Sequence, residues 1–116
     1  MQPKTRKLLD DVRDAAAFIL DQTRGLTSEL YLRDRLRRQA VERNFEIIGE
    51  AVNLLRKSDP AVASQITDAD RIVAFRNVLI HVYHLIDDAE VWRVIETSLP
   101  ILLKEVEALL NDPGRQ

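Results

Sequence analysis

Only three glycines and four prolines interrupt this 116-residue chain, and Leu, Ala, Ile, Val, Arg and Glu dominate the rest. Strong helix formers therefore fill long segments with little to stop them. The chain is expected to be all-α: an antiparallel four-helix bundle, with short extra helices allowed, built as a single domain over residues 1–116. The first helix is expected from about Lys4 to Arg24, where Leu8, Leu9, Val12, Ala15, Ala16 and Ile19 recur at helical spacing, and Gly25 is its natural stop. Thr27 or Ser28 then caps a second helical segment reaching about Lys57, with a bend expected near Arg33 to Arg35. Ser58-Asp59-Pro60 ends it. After a short turn, Thr67 or Asp68 caps a third helix running to about Tyr83 or His84. Asp87 caps the fourth, with Glu90 as a capping-box partner, and Pro100 is expected to kink it. Residues 112–116 form an expected flexible tail.

Composition narrows the function. Seventeen basic against 19 acidic side chains leave a formal charge of −2, which excludes broad electrostatic capture of nucleic acid but not a local RNA cleft. Arg33, Arg35, Arg37 and Arg38 make one basic cluster, with Glu29, Asp34 and Glu42 close enough in sequence to turn it into a solvated, ion-paired face. With no cysteine, the chain has no disulfide framework and no thiolate metal site, which fits a reducing cytoplasm. Acids at Asp10 and Asp11 break the apolar stretch behind the basic start, so no signal peptide is read, and no run reaches membrane-spanning length. A soluble, cytoplasmic protein is expected.

Chemistry concentrates in Arg76-Asn77-Val78-Leu79-Ile80-His81-Val82-Tyr83. A guanidinium can grip phosphate through a fork of N–H donors, and imidazole is the side chain suited to proton transfer near neutral pH. On a straight helix, at about 100 degrees per residue, Arg76 and Tyr83 share a side, whereas His81 points roughly 140 degrees from Arg76, along a strip with Asn77 and His84. Ile72, Phe75, Leu79 and Ile86 lie on the Arg76 side, and Val73, Val78, Ile80 and Val82 widen the apolar arc past half the circumference. Such an arc needs more than one neighbour. A second copy across a twofold axis would bring Arg76 of one subunit toward His81 of the other; a helix distorted after Ile80 would turn both into one cleft.

Plainer roles stand beside these. His81 can serve as a charge at a helix C-terminus, Arg76 can pair with Glu46 or Glu50, and Tyr83 can be a bundle-core residue with its hydroxyl at the edge. Glu46, Glu50 and Asn53 share a strip that is either an exposed polar edge or a wall facing the motif. Gly49, costly inside a helix by about 1 kcal/mol relative to alanine, points to close packing by another helix or chain.

Arg, four residues, His, one residue, Tyr, with Asn directly after the Arg, resembles the signature of HepT-type toxins of the HEPN superfamily. The stretch from Ala40 to Ala51 (AVERNFEIIGEA) is similar to that family's second helix, and Val91-Trp92 with Leu99-Pro100 to its last, so the resemblance spans nearly the whole chain. The chain departs from the pattern at Val82, where an acid is common, and at Asp68-Ala69-Asp70, where a tryptophan-containing start is usual. The resemblance implies a homodimeric, metal-independent endoribonuclease that needs no cofactor and acts as the toxin of a type VII toxin–antitoxin pair. Its implied partners are RNA and a minimal nucleotidyltransferase antitoxin that transfers AMP to the motif tyrosine. Carried over, Arg76 and His81 are catalytic, Asn77 and Glu50 supporting, and Tyr83 the modification site. A helical adaptor that presents a substrate to a nucleotidyltransferase is the alternative.

Overall fold

A computed structural model describes residues 1–112, apart from the side chain of Tyr83. Most of the tail expected over residues 112–116 therefore lies outside the described residues. Those described form helices α1 (Pro3–Thr23), α2 (Ser28–Arg33), α3 (Arg35–Ser58), α4 (Pro60–Ala63), α5 (Ala69–His81) and α6 (Asp88–Leu110), with a 3₁₀ turn at Tyr83–Leu85 and no strand. The all-α expectation holds.

α1 begins with Pro3 in its first turn, where a missing N–H costs nothing. Its stripe of Leu8, Leu9, Val12, Ala15, Ala16 and Ile19 is buried as the spacing predicts. Gly25 follows in the left-handed region at φ 79°, a conformation that favours glycine. Thr27 then caps α2, accepting from the Leu30 N–H at 3.2 Å.

The bend expected near Arg33 to Arg35 is a full break. Asp34 leaves the helical region and its carboxylate accepts from the Arg37 N–H at 3.0 Å and from Arg37 Nη1 at 2.6 Å. These bonds start a new helix, because a carboxylate at the cap satisfies an orphan N–H and complements the positive end of the dipole. Arg37 Nε also donates to the Gln22 carbonyl at 2.6 Å, tying α3 to the end of α1.

α3 is the central element, lying against α1, α2, α4 and α5, while α6 packs on α1 and α2. Tyr31 of α2 is fully buried with its ring 5.2 Å from that of Trp92 on α6. Burial, with the Glu42 and Asp88 carboxylates nearby, pushes its phenol well above the usual range. Asp59 caps the single turn of α4 and accepts from Thr5 Oγ1 at 2.8 Å, which fastens the start of α1 to the end of α3.

Two expected caps differ in detail. Asp68 stands before α5 in the left-handed region without a side-chain cap bond, and Thr67 instead donates through N–H and Oγ1 to the Glu105 carboxylate. Asp87 caps α6 as expected, but Glu90 turns to Arg93. α6 continues through Pro100 to Leu110.

Candidate active site

α5 ends sooner than the sequence suggests. The helix stops at His81, Val82 leaves it at φ −131°, ψ 42°, and the Leu85 N–H bonds the Val82 carbonyl at 2.8 Å. From Val82 the backbone tightens into i→i+3 bonding instead. The expected end at Tyr83 or His84 is thus corrected, and the arithmetic that put Tyr83 on the Arg76 side does not apply beyond His81. Tyr83 opens the 3₁₀ turn; its side chain lies outside the described ones.

Arg76 and His81 both remain within α5, so the angular separation of roughly 140 degrees stands. Arg76 faces α3. Its Nη2 donates to Glu50 Oε2 at 2.6 Å and its Nη1 to Asn77 Oδ1 at 2.9 Å. Of the two carboxylates that could have paired with it, Glu50 does. The Arg76 side chain is only 22% exposed, and its Nε–H is buried without a hydrogen-bond partner in the structure. A guanidinium has five N–H donors; with Nε sealed and one bond on each terminal nitrogen, one hydrogen on each Nη is left to offer.

His81 is exposed at the last position of α5, and no hydrogen bond or ion pair among the described residues holds its ring. One chain alone therefore presents the arginine to a groove and the imidazole to a different side. The pairing of Arg76 with Glu50 is one of the plain roles the sequence offers, whereas Asn77, placed by helix arithmetic on the His81 strip, accepts from Arg76 instead.

The groove beside Arg76 lies between α1, α3 and α5, with Asp11, Arg43, Glu46, Glu50, Leu54 and Ile80 on its walls. The polar strip of α3 thus faces the motif at Glu46 and Glu50, whereas Asn53 accepts from Arg56 Nη2. Arg43 was not singled out from the sequence, although it stands three residues before Glu46 and seven before Glu50, on the same strip. On its far side α5 leaves a cleft toward α6, lined by Phe45, Ile72, Phe75 and Val94; Phe45 and Phe75 meet edge to face at 5.3 Å.

The basic cluster at the start of α3 is mostly consumed within the chain. Arg33 pairs with Glu29, Arg37 with Asp34 and Arg38 with Asp88. Among the described residues no three His, Asp or Glu side chains converge as a metal-ligand set, and no helix is long and apolar enough to cross a membrane.

Chemically, the site offers an oriented cationic fork, a carboxylate beside it and a solvent-facing imidazole. That set suits a phosphodiester. Comparison with known proteins leads to the same chemistry. The protein named "Putative RNase MJ1380" of Methanocaldococcus jannaschii is 31% identical over 106 residues, covering 88% of this chain and 93% of the relative. "Putative RNase TTE0752" of Caldanaerobacter subterraneus is 30% identical over 106 residues, covering 91% and 94%. "Probable ribonuclease HepT" of Thermococcus cleftensis is 28% identical over 109 residues, covering 94% and 98%. No solved structure matches the chain at a significant level. The family model described as "Ribonuclease HepT-like" matches residues 12–109, a span that includes the groove-wall residues of α3, all of α5 and nearly all of α6, and the chain belongs to that family.

Proposed function

We propose that this protein is an endoribonuclease whose chemistry is carried by Arg76 and His81, with Asn77 and Glu50 in support. The observation that carries this reading is the seating of Arg76: a largely buried guanidinium, held at one terminal nitrogen by Glu50 and at the other by Asn77, in a chain of a ribonuclease family. RNA supplies its own nucleophile in the 2′-hydroxyl, so the protein has to place the phosphate, move protons and stabilise charge. Arg76 would fork the two non-bridging phosphate oxygens as negative charge builds on them. The 2′-hydroxyl gives its proton to solvent water as its oxygen bonds to phosphorus, the bond from phosphorus to the 5′ oxygen breaks, and the protonated His81 ring gives its proton to the leaving 5′ oxygen and regains one from solvent. The products are a 2′,3′-cyclic phosphate and a 5′-hydroxyl. No metal ion has a part in this scheme.

Because α5 turns His81 away from Arg76, the proposed working form is a homodimer in which one subunit's Arg76 meets the other's His81. The exposed Val78, Ile80 and Leu85 give α5 and the turn after it apolar surface for such a contact. The protein acts as the toxin of a toxin–antitoxin pair, and a minimal nucleotidyltransferase silences it by placing AMP on Tyr83, which adds bulk and a negative charge that repels RNA.

Purified protein free of AMP, incubated with total RNA in EDTA beside Arg76→Ala and His81→Ala, tests the reading. Cleavage by the wild type alone, leaving 2′,3′-cyclic ends, is expected. No cleavage, or equal cleavage by all three, would shift the reading to the helical adaptor.

A further inference from the structure

Arg76 owes its seat to an absent side chain. A Cβ built on Gly49 would stand 2.1 Å from Arg76 Cβ and 2.6 Å from Arg76 Cγ, and the three nearest heavy atoms all belong to Arg76. Those atoms are the root of the arginine, fixed to the α5 backbone, so they cannot swing aside as a flexible tip would. Gly49 is also interior to α3 and buried, where glycine is a poor helix former. It is not among the positive-φ glycines. Contact with Arg76, not backbone conformation, is therefore what this position requires.

The consequences reach the guanidinium. With its root pressed on α3, the arginine has its Nε–H sealed and its Nη2 against Glu50, the residue next to Gly49. We propose that Gly49 is a positioning residue for the ribonuclease reaction: it lets α5 approach α3 closely enough to aim the two free Nη hydrogens of Arg76 at the phosphate. This rests on the reading of Arg76 as the phosphate-binding residue. Misplacing a catalytic group by an ångström can cost about 100-fold in rate.

The test compares the full chain as wild type, Gly49→Ala and Val52→Ala, the last a buried substitution three residues further along the same helix. Two readouts are taken below the unfolding temperature of each: RNA cleavage, and the solvent exchange of the Arg76 Nε–H in nitrogen-15 NMR spectra. Gly49→Ala is expected to speed that exchange and to slow cleavage about 10–100-fold, while Val52→Ala leaves both near wild type. An unchanged Nε–H in Gly49→Ala overturns the proposal whatever the nuclease result. A shifted Nε–H with undiminished cleavage also overturns it, by separating the seat from the reaction. A wild type that cuts no RNA refutes the function itself, and the Nε–H readout then still reports whether Gly49 seats Arg76. If Gly49→Ala does not fold, Gly49→Ala with Arg76→Gly removes the clashing atoms. Recovered folding in the double variant places the clash on the Arg76 root, and failure to recover overturns the contact.

Discussion

α1 and α5 both lie against α3 and are held in different ways. α1 buries eight of its 21 residues against the bundle, whereas α5 buries only Val73 and Leu79 of its 13. α5 is placed instead by a few specific contacts: the Gly49 notch, the ion pair of Arg76 with Glu50, the Phe45–Phe75 edge contact, and the pair of Arg56 with Asp70 at 2.5 Å. Stability therefore resides mainly in the stripe-to-stripe packing of α1, α3 and α6, and the proposed chemistry resides on a helix whose few anchors fix one arginine. Such a division lets the reactive helix keep polar and exposed apolar groups that a core helix could not carry.

The largest effect is expected at a fully buried α1 residue. Ile19→Ala should cost about 2–5 kcal/mol in urea unfolding, because it removes buried methyl groups and leaves a cavity. A loss below 1 kcal/mol would show that α1 is not the structural half. Tyr31→Phe sharpens the same side from the opposite direction. The Tyr31 hydroxyl is buried with no hydrogen-bond partner in the structure, so deleting it should leave stability unchanged or raise it by about 1 kcal/mol. A clear loss would mean that the hydroxyl has a partner.

Glu42 tests the electrostatics where α3 meets the start of α6. Burial first, and then the Asp88 carboxylate, raise its pKa, with Arg38 opposing. A carboxyl whose folded pKa lies above its unfolded value contributes stability that is present below the unfolded pKa and is lost as the pH rises through the folded one. Glu42→Gln should therefore raise the neutral-pH Tm by about 1–2 °C and flatten its fall above the ordinary carboxylate range; a lower Tm would reverse the assignment. The smallest effect belongs to α5. Val78→Ser, at an exposed position, should change the stability of the dilute chain by less than about 0.5 kcal/mol. If a second copy covers this face, wild-type Tm will rise with protein concentration and Val78→Ser will remove that dependence.

Much of this architecture was legible in the chain. The α1 stripe, Gly25 as a stop, the Asp87 cap and close packing at Gly49 all follow from local periodicity and chemistry. So did the pairing of Arg76 with a carboxylate of the Glu46–Glu50 strip, because both sides repeat at helical spacing. The early end of α5 did not. Val82 continues an apolar helical pattern, and nothing local marks the switch to i→i+3 bonding that removes Tyr83 from the helix. The full break at Asp34 was half visible: the aspartate is a good cap, but its bonds to Arg37, and the bond from Arg37 to the Gln22 carbonyl, depend on tertiary placement. Arg43 escaped notice because an exposed arginine on a charged helix carries no local signal; only the groove gives it meaning.

If α5 carries the proposed chemistry and the bundle the stability, the two should separate in one experiment. RNA cleavage by wild type, Ile19→Ala and Arg76→Ala, at a temperature where circular dichroism shows all three folded, tests it most directly. Ile19→Ala should cut at close to the wild-type rate despite its lowered Tm, while Arg76→Ala should lose about 100-fold or more with a smaller change in Tm. Equal loss in both variants, or full activity in Arg76→Ala, would contradict the account.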